Sequence, residues 1–381
     1  MNTGKMQRHD SSDTGRDVLL VAMEMGLKSW RLALAPSGAV RHRQVVVEAG
    51  HYLQVQAAVQ VARERFGLPA QCPVIFCYEA GREGFHPARV LSEAGHRSWI
   101  IDSSSIEVDR RQRRAKCDAL DAGKLQALMQ RQVRGERVLR LVHLPSRAQE
   151  DERQCSRERE ELRVERARLR VRMQSLLFTQ GVRDFPKRIP AIEHWMRQHA
   201  ASLPPQLAQR LERELQRLRL VTQQLGTLDQ QQRQHCVSPC AATSATQRAA
   251  AQLCQLKGLA SRSASILATE MFGWREFHNR REVGALAGLV PTPYDSGNSR
   301  REQGISKAGN KRVRRVIVEV AWQWLRYQPH SALTQWFMQR FGGQGKRSRR
   351  LGIVALARRL LVALWHYLQH DALPQGAQLK A

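Results

Sequence analysis

Four carboxylates stand where they could share metal ions. Glu24 closes the apolar run DVLLVAMEMG, Glu79 closes CPVIFCYEAG, and Asp118 and Asp121 lie three apart in the helical segment CDALDAGKLQALMQR. An i, i+3 spacing puts the last two on one helix face, with Cβ atoms roughly 5–6 Å apart. Phosphodiester chemistry assisted by two Mg²⁺ ions about 3.5–4 Å apart needs such a set, because the ions share oxygen ligands while stabilising the entering and leaving oxygens. Singly, each acid has an ordinary role: Glu24 as a turn cap, Glu79 as a strand-end acid, Asp118 as a helix N-terminal residue favoured by the dipole. Their joint placement is what points to a metal site. Immediately upstream, DRRQRRAK offers Arg110, Arg111, Arg113, Arg114 and Lys116 as phosphate contacts. A second group surrounds Ser296 in PYDSGNS. Serine attacks phosphorus only where its proton is easily removed and the phosphate charge is neutralised. Arg300, Arg301, Lys307, Lys311 and Arg312 could supply that charge, and Gly297, Gly304 and Gly309 permit close backbone approach. On the residues alone, Asp-Ser-Gly-Asn reads first as a plain turn, ahead of a nucleophile.

The elements that must position the acids follow from the hydrophobic pattern. DVLLVAMEMG, SWRLALAP and RHRQVVVEAG are three short apolar or β-branched runs separated by turn residues, a meander of strands. HYLQVQAAVQVARERFG carries Leu53, Ala57, Val61 and Ala62 at helical spacing, CPVIFCYEAG returns as a buried strand, GFHPARVLSEAG is a short helix and RSWIID a fifth strand. Five strands in this order outline an RNase H-like domain over residues 16–144, after a polar tail at 1–15. From 145 to 240 the composition turns to Arg, Glu and Gln with apolar seams: Leu162, Leu169, Met173 and Leu176 in one helix, Leu207, Leu211, Leu215, Leu218, Leu225 and Leu228 in another. The break at Pro186–Pro190 makes an antiparallel coiled-coil hairpin the natural arrangement, either as an oligomerisation arm or as a charged helix pair packed on itself. Residues 241–381 return to a mainly helical globular composition. LCQLKGLASRSASILATEMFG is weakly like a helix-hairpin-helix element, and helices near Arg312–Tyr327 and Leu351–Gln369 are joined across the basic glycine-rich loop GGQGKRSRR. The fold class is therefore α/β plus α.

The 381 residues carry 62 Lys and Arg against 34 Asp and Glu, a net charge of +28. That excess points to a polyanionic partner, nucleic acid first. Arg314, Arg315, Arg326, Arg358 and Arg359 interrupt the apolar segments, so no membrane partner is expected. The polar start MNTGKMQRHD has no apolar signal core, and seven scattered cysteines suit reduced thiols, so a cytoplasmic, nucleoid-associated protein is expected.

Three segments, CYEAGREGFHPARVLSEAG, RRQRRAKCDALDAGKL and FGWREFHNRREVGALAGLVPTPYDSGNSRREQGISKAGNKRVRRVIVEVAWQWLR, resemble the insertion sequence 110 family of DNA transposases. The resemblance covers both globular regions in order, with the hairpin matching in character. It implies a RuvC-like domain whose metal acids fall on Glu24, Glu79, Asp118 and Asp121, a coiled-coil dimerisation region, and a C-terminal domain with a nucleophilic serine at Ser296. The first acid, usually Asp in that family, is Glu24 here. Mg²⁺ (or Mn²⁺), donor and target double-stranded DNA, a bridge-type non-coding RNA and a homo-oligomer (dimer or tetramer) are implied with it. The alternatives are a metal-only RuvC-like nuclease or junction resolvase, in which water attacks, and a catalytically decayed RNA- or DNA-binding protein.

Overall fold

The structure, a computed structural model, describes residues 18–102, 118–234, 236, 242–296 and 299–380. The chain forms two compact units, Met1–Pro145 and Ser146–Ala381.

In the first unit the strand runs become β1 (Leu19–Met25), β2 (Ser29–Pro36), β3 (Arg43–Glu48), β4 (Val74–Glu79) and β5 (Arg97–Ile101), in one sheet ordered β3-β2-β1-β4-β5. β1 pairs antiparallel with β2 and parallel with β4, and β4 pairs parallel with β5. β1 is central and covered on both faces, which is why it reads as a continuous apolar run rather than an alternating one. One face sets Leu19, Val21 and Met23 against α1 (Tyr52–Arg65) and α2 (His86–Glu93); the other sets Leu20 and Ala22 against Ala122, Leu125 and Met129 of α3 (Asp118–Val133). The helix α1 is where the sequence places it, but its buried stripe is Val55, Ala58, Val59 and Ala62, while Leu53 and Val61 are exposed. The expected stripe is thus rotated: 55, 58, 59 and 62 follow the i, i+3, i+4, i+7 rule, which 53, 57, 61 and 62 satisfy less well.

The second unit opens with α4 (Arg147–Phe178), started by a capping box in which Ser146 and Gln149 bond reciprocally, then α5 (Ile189–His199) and α6 (Pro205–Gln234). Ion pairs Arg159–Asp229 and Arg172–Glu214 run in opposite senses along the two long helices, so α4 and α6 are antiparallel. Leu162, Leu169, Met173 and Leu177 meet Leu211, Leu215, Leu218 and Leu225, with Ile192 and Met196 of α5 closing the cluster. The leucine seam that asked for a partner finds one within its own chain.

The remainder packs α7 (Ala245–Cys254), α8 (Ser261–Leu267) with a π-helical turn at Ala268–Phe272, α9 (Arg280–Leu286), the hairpin of β6 (Pro291–Ser296) and β7 (Ser299–Ile305), α10 (Lys311–Tyr327), α11 (Ala332–Phe341) and α12 (Lys346–His370). Two expectations change here. GGQGKRSRR is not all loop: α12 begins at Lys346, and α11, capped by Ser331, fills what read as a connection. The glycine turn of the helix-hairpin-helix candidate faces inward, since Gly258 at φ +87 would bring a Cβ to 3.4 Å from the Gln323 carbonyl of α10, and the Lys257 N–H donates to the Gln378 carbonyl. By length and hydropathy α12 could cross a membrane, but Ile353, Leu356, Ala357, Leu360, Leu361 and Leu364 are buried in the core of this unit.

Candidate active site

The parallel register pairs Met23 with Tyr78, so Glu24 and Glu79 are the next residues on adjacent strands. Alternation along each strand places Glu24 on the face of Leu20 and Ala22, and Glu79 on the face of Ile75 and Cys77, the face that α3 covers. A cavity of about 190 Å³ at this sheet edge is lined by Met23, Glu24, Met25, Glu79, Gly81, Arg82 and Glu83. Both sides of the cavity are fixed by local structure. After Glu24 the chain turns at Gly26, where a Cβ would lie 2.8 Å from the Ser29 carbonyl. After Glu79, the Tyr78 hydroxyl donates to the Gly84 carbonyl (3.2 Å) and accepts from the Ala88 N–H (3.3 Å), tying the following loop to α2.

The direction of α3 follows from its far end. Gln130 accepts from the Gly38 N–H (2.8 Å) and donates to the Pro36 carbonyl (2.9 Å), and Pro36 pairs with Leu19 at the start of β1. From Gln130 back to Asp121 the helix climbs about 13–14 Å. From Leu19 to Glu24 the strand runs about 16–17 Å. The first turn of α3 therefore lies toward the edge where Glu24 and Glu79 end. Asp121 is 31% exposed and pairs with Lys124 at 3.9 Å. The backbone of Asp118 opens α3, and its side chain lies outside the described residues, as do Arg110, Arg111, Arg113, Arg114 and Lys116. Carboxylates on neighbouring strand ends suit a hard, oxygen-liganded cation. Among the described residues no group of three or more His, Cys, Asp or Glu is close enough to hold a metal ion. The fit thus rests on the Glu24 and Glu79 pair, with the two helix acids on the approaching turn.

The serine segment is a β-hairpin rather than an isolated turn. Ser296 ends β6 and pairs with Ser299, the first residue of β7; 297 and 298 and the side chains of 293–303, including those of Ser296, Arg300 and Arg301, lie outside the described residues. The segment that follows is pinned tightly. Gly288 at φ +65 would drive a Cβ to 2.2 Å from the Ala308 carbonyl, and Gly309 at φ +110 to 2.3 Å from that of Leu286. Lys307 adopts φ +55 and is exposed, as is Lys311. Arg312 is not free to meet a phosphate: it donates to Glu270 (3.0 Å) and to the Ser156 carbonyl (2.7 Å).

That contact belongs to a network the sequence did not suggest. Glu270, 1% exposed, accepts from Arg157 (3.2 and 3.4 Å), Asn310 (3.1 Å) and Arg312, with Arg153 at 3.7 Å. Burial pushes its carboxyl up, but the Arg157 hydrogen bond and the charges of Arg157, Arg153 and Arg312 outweigh that and hold it below the usual carboxylate range. Asn310 in turn caps α10, accepting from the N–H groups of Arg312 (2.9 Å) and Val313 (3.2 Å). Glu160 does similar work beside it. Burial raises its carboxyl, hydrogen bonds from Arg163 and Arg315 lower it, and the balance holds it at about 2.

The family model "Transposase IS116/IS110/IS902 family" matches residues 250–335, which span the hairpin and α10. The chain is 38% identical over 379 residues to "Putative transposase y4rJ" of Sinorhizobium fredii (strain NBRC 101917 / NGR234), covering 95% of this chain and 94% of that one. It is 27% identical over 277 residues to the transposase for insertion sequence element IS1328 of Yersinia enterocolitica, covering 70% and 76% of the two chains.

Proposed function

Since the chain belongs to the IS116/IS110/IS902 family of transposases, we propose that it moves its insertion sequence by cutting and rejoining double-stranded DNA through a phosphoserine link at Ser296. The convergence of Glu24 and Glu79 on one cavity, at the sheet edge that the first turn of α3 approaches, carries this reading. Strand order β3-β2-β1-β4-β5 supports an RNase H-like, RuvC-like assignment for the first unit. The antiparallel α4 and α6 support a coiled-coil hairpin over 145–240, between catalytic regions at 16–144 and 241–381.

Glu24, Glu79, Asp118 and Asp121 would hold Mg²⁺ or Mn²⁺, which supplies charge neutralisation at the scissile phosphate. Glu24 in place of Asp adds one methylene, which lets the carboxylate reach from a strand set slightly farther back. In the serine step, Oγ of Ser296 attacks phosphorus and loses its proton as the bond to the leaving oxygen breaks; that oxygen departs and is protonated. One DNA end is then held as an ester while the other is a free hydroxyl, and attack by a hydroxyl of a new partner reverses the step and restores the serine. No nucleotide cofactor is required because the ester conserves the phosphodiester bond energy. Exposed Lys307 and Lys311 serve as phosphate contacts together with Arg300, Arg301 and the run Arg110, Arg111, Arg113, Arg114 and Lys116, while Arg312 positions α10 through Glu270. The +28 charge supports a polyanionic partner; a bridge-type guide RNA beside the DNA and a dimer or tetramer are proposed from the family resemblance.

The test is a trapping reaction: the protein, its flanking non-coding RNA and element-end DNA with divalent metal, quenched in detergent. A covalent protein–DNA adduct mapping to Ser296 is expected, absent in Ser296→Ala. Cleavage by Ser296→Ala without an adduct would replace the serine step with metal-assisted hydrolysis.

A further inference from the structure

Between Glu319 and Asp371 the chain carries eight Lys and Arg and no Asp or Glu. Five of those cations, Arg340, Lys346, Arg347, Arg349 and Arg350, fall within the short corner that ends α11 and starts α12, and all five are exposed. Among the described residues none of them pairs with an acid. By contrast, Arg153, Arg157, Arg172 and Arg315 of the same unit are all tied to carboxylates.

The corner is rigid. A Cβ on Gly352 would lie 2.5 Å from the Phe341 ring, so only a glycine lets α11 lie this close against α12. Farther along, the Arg359 guanidinium sits 4.0 Å from the centre of the Trp336 ring, a second clamp between the same two helices. The cations are therefore presented on a fixed frame.

We infer that this α11–α12 corner, built from residues other than the acids and Ser296, is a docking surface for the phosphate backbone of duplex DNA. A cluster of exposed cations that no acid neutralises attracts phosphate charge whatever the base sequence, so a sequence-independent backbone contact is the one expected of it. Single strands are disfavoured as the occupant because their binding uses open aromatic faces. Phe341 is the one aromatic residue between Met338 and Leu351, and it is packed against Phe337 and beside Gly352; Trp336 is covered by Arg359. The duplex is DNA because the chain is a transposase, and to that extent the inference rests on the family.

The test uses the full chain with EDTA present, so that no strand is cut, and a fluorescent 20-base-pair duplex of arbitrary sequence titrated across about 50–200 mM salt. The patch variant replaces Lys346, Arg347, Arg349 and Arg350 by Gln. A control of equal charge replaces Arg183, Lys187, Arg188 and Arg197 by Gln, four exposed cations at α5 and the loop before it. Loss of about four phosphate contacts should lower the slope of log affinity against log salt by about 3–4, so the affinity lost across that range shrinks on the order of 100-fold. The control should keep the wild-type slope, and unchanged circular dichroism should accompany both. Equal flattening in the control would reduce the effect to net charge and overturn the inference. So would a patch variant that binds duplex DNA as wild type does, or one that loses only single-stranded or RNA binding. The adduct at Ser296 is scored only in the metal-dependent trapping reaction and duplex binding only here in EDTA, so failure of the cutting reading and failure of this surface are read separately.

Discussion

Removing the Glu270 carboxylate should loosen the second unit more than any surface charge change of the same size. The side chain is 1% exposed, and Arg153, Arg157 and Arg312 converge on it with side-chain exposures of 11%, 42% and 18%. Glu270→Ala takes from two mostly buried guanidinium groups, Arg153 and Arg312, their nearest counter-charge and withdraws the acceptor that orients Asn310. Breaking a buried pair from one side costs about 3–5 kcal/mol, far above the roughly 0–1 kcal/mol of an exposed pair. Glu270→Gln keeps an acceptor oxygen while losing the charge, and should cost about 1–3 kcal/mol. For a unit of this size each kcal/mol moves the melting temperature by about 2–4 °C, so Glu270→Ala should lower it by about 6–20 °C. A chain with two compact units need not unfold in one step, so the readout is hydrogen exchange in α4 and α10 alongside calorimetry. Acid should reproduce the loss in wild type. The folded pKa lies below the ordinary carboxylate value, so the contribution is complete above that value and disappears as pH falls through the folded one. Glu160, held at about 2, should likewise give way as pH falls toward that value. Glu270→Ala within about 0.5 kcal/mol of wild type, with unchanged exchange at Asn310 and Arg312, would refute the view that this carboxylate joins α4 to α10.

Glu79→Gln and Asp121→Asn should each abolish recombination and weaken Mn²⁺ binding measured by calorimetry on the uncomplexed protein, whereas Glu24→Asp should retain part of both; wild-type metal binding in all three would remove the acid site. Leu211→Ala, at a fully buried position of the hairpin, should cost about 2–5 kcal/mol in the second unit at low and high protein concentration alike, because the seam is filled within the chain. Concentration-dependent melting that vanishes in the variant would instead assign Leu211 to a contact between protomers. Gly309→Ala should reduce soluble protein or activity sharply, since both φ +110 and the Leu286 carbonyl oppose a Cβ; an unchanged melting curve would show that the segment can shift.

The five strands were legible in the sequence because each is a short apolar run bounded by turn residues, and β1, covered on both sides, carries the strongest run of all. Glu24 and Glu79 were legible for a related reason: a carboxylate ending such a run must lie at a sheet edge, and order along the chain puts both at the same one. The inward face of α1 is hard to read because exposed Leu53 is larger than buried Ala58 and exposed Val61 is identical to buried Val59, so neither size nor apolarity separates the two faces. The start of α12 was hidden behind three glycines and a charge run, with Gly345 at its N-cap offering no side-chain signal.

Glu270 shows the limit most clearly. In ASILATEMFG it looks like one acid on an otherwise apolar turn, and nothing local marks it as a hub. Its partners lie more than a hundred residues back in α4 and about forty ahead at the start of α10, distances over which composition carries no information. Yet the residues that it holds, Asn310 and Arg312, sit within the segment matched by the family model, and in the sequence Arg312 reads as a phosphate contact because it is one of the cations following Ser296. A charge run does not say which of its members face solvent. Here the helix start decides: Asn310, the N-cap with non-helical backbone, and the long side chain of Arg312 both reach Glu270, Lys311 between them stays exposed, and one basic motif is divided between holding the fold and meeting a polyanion.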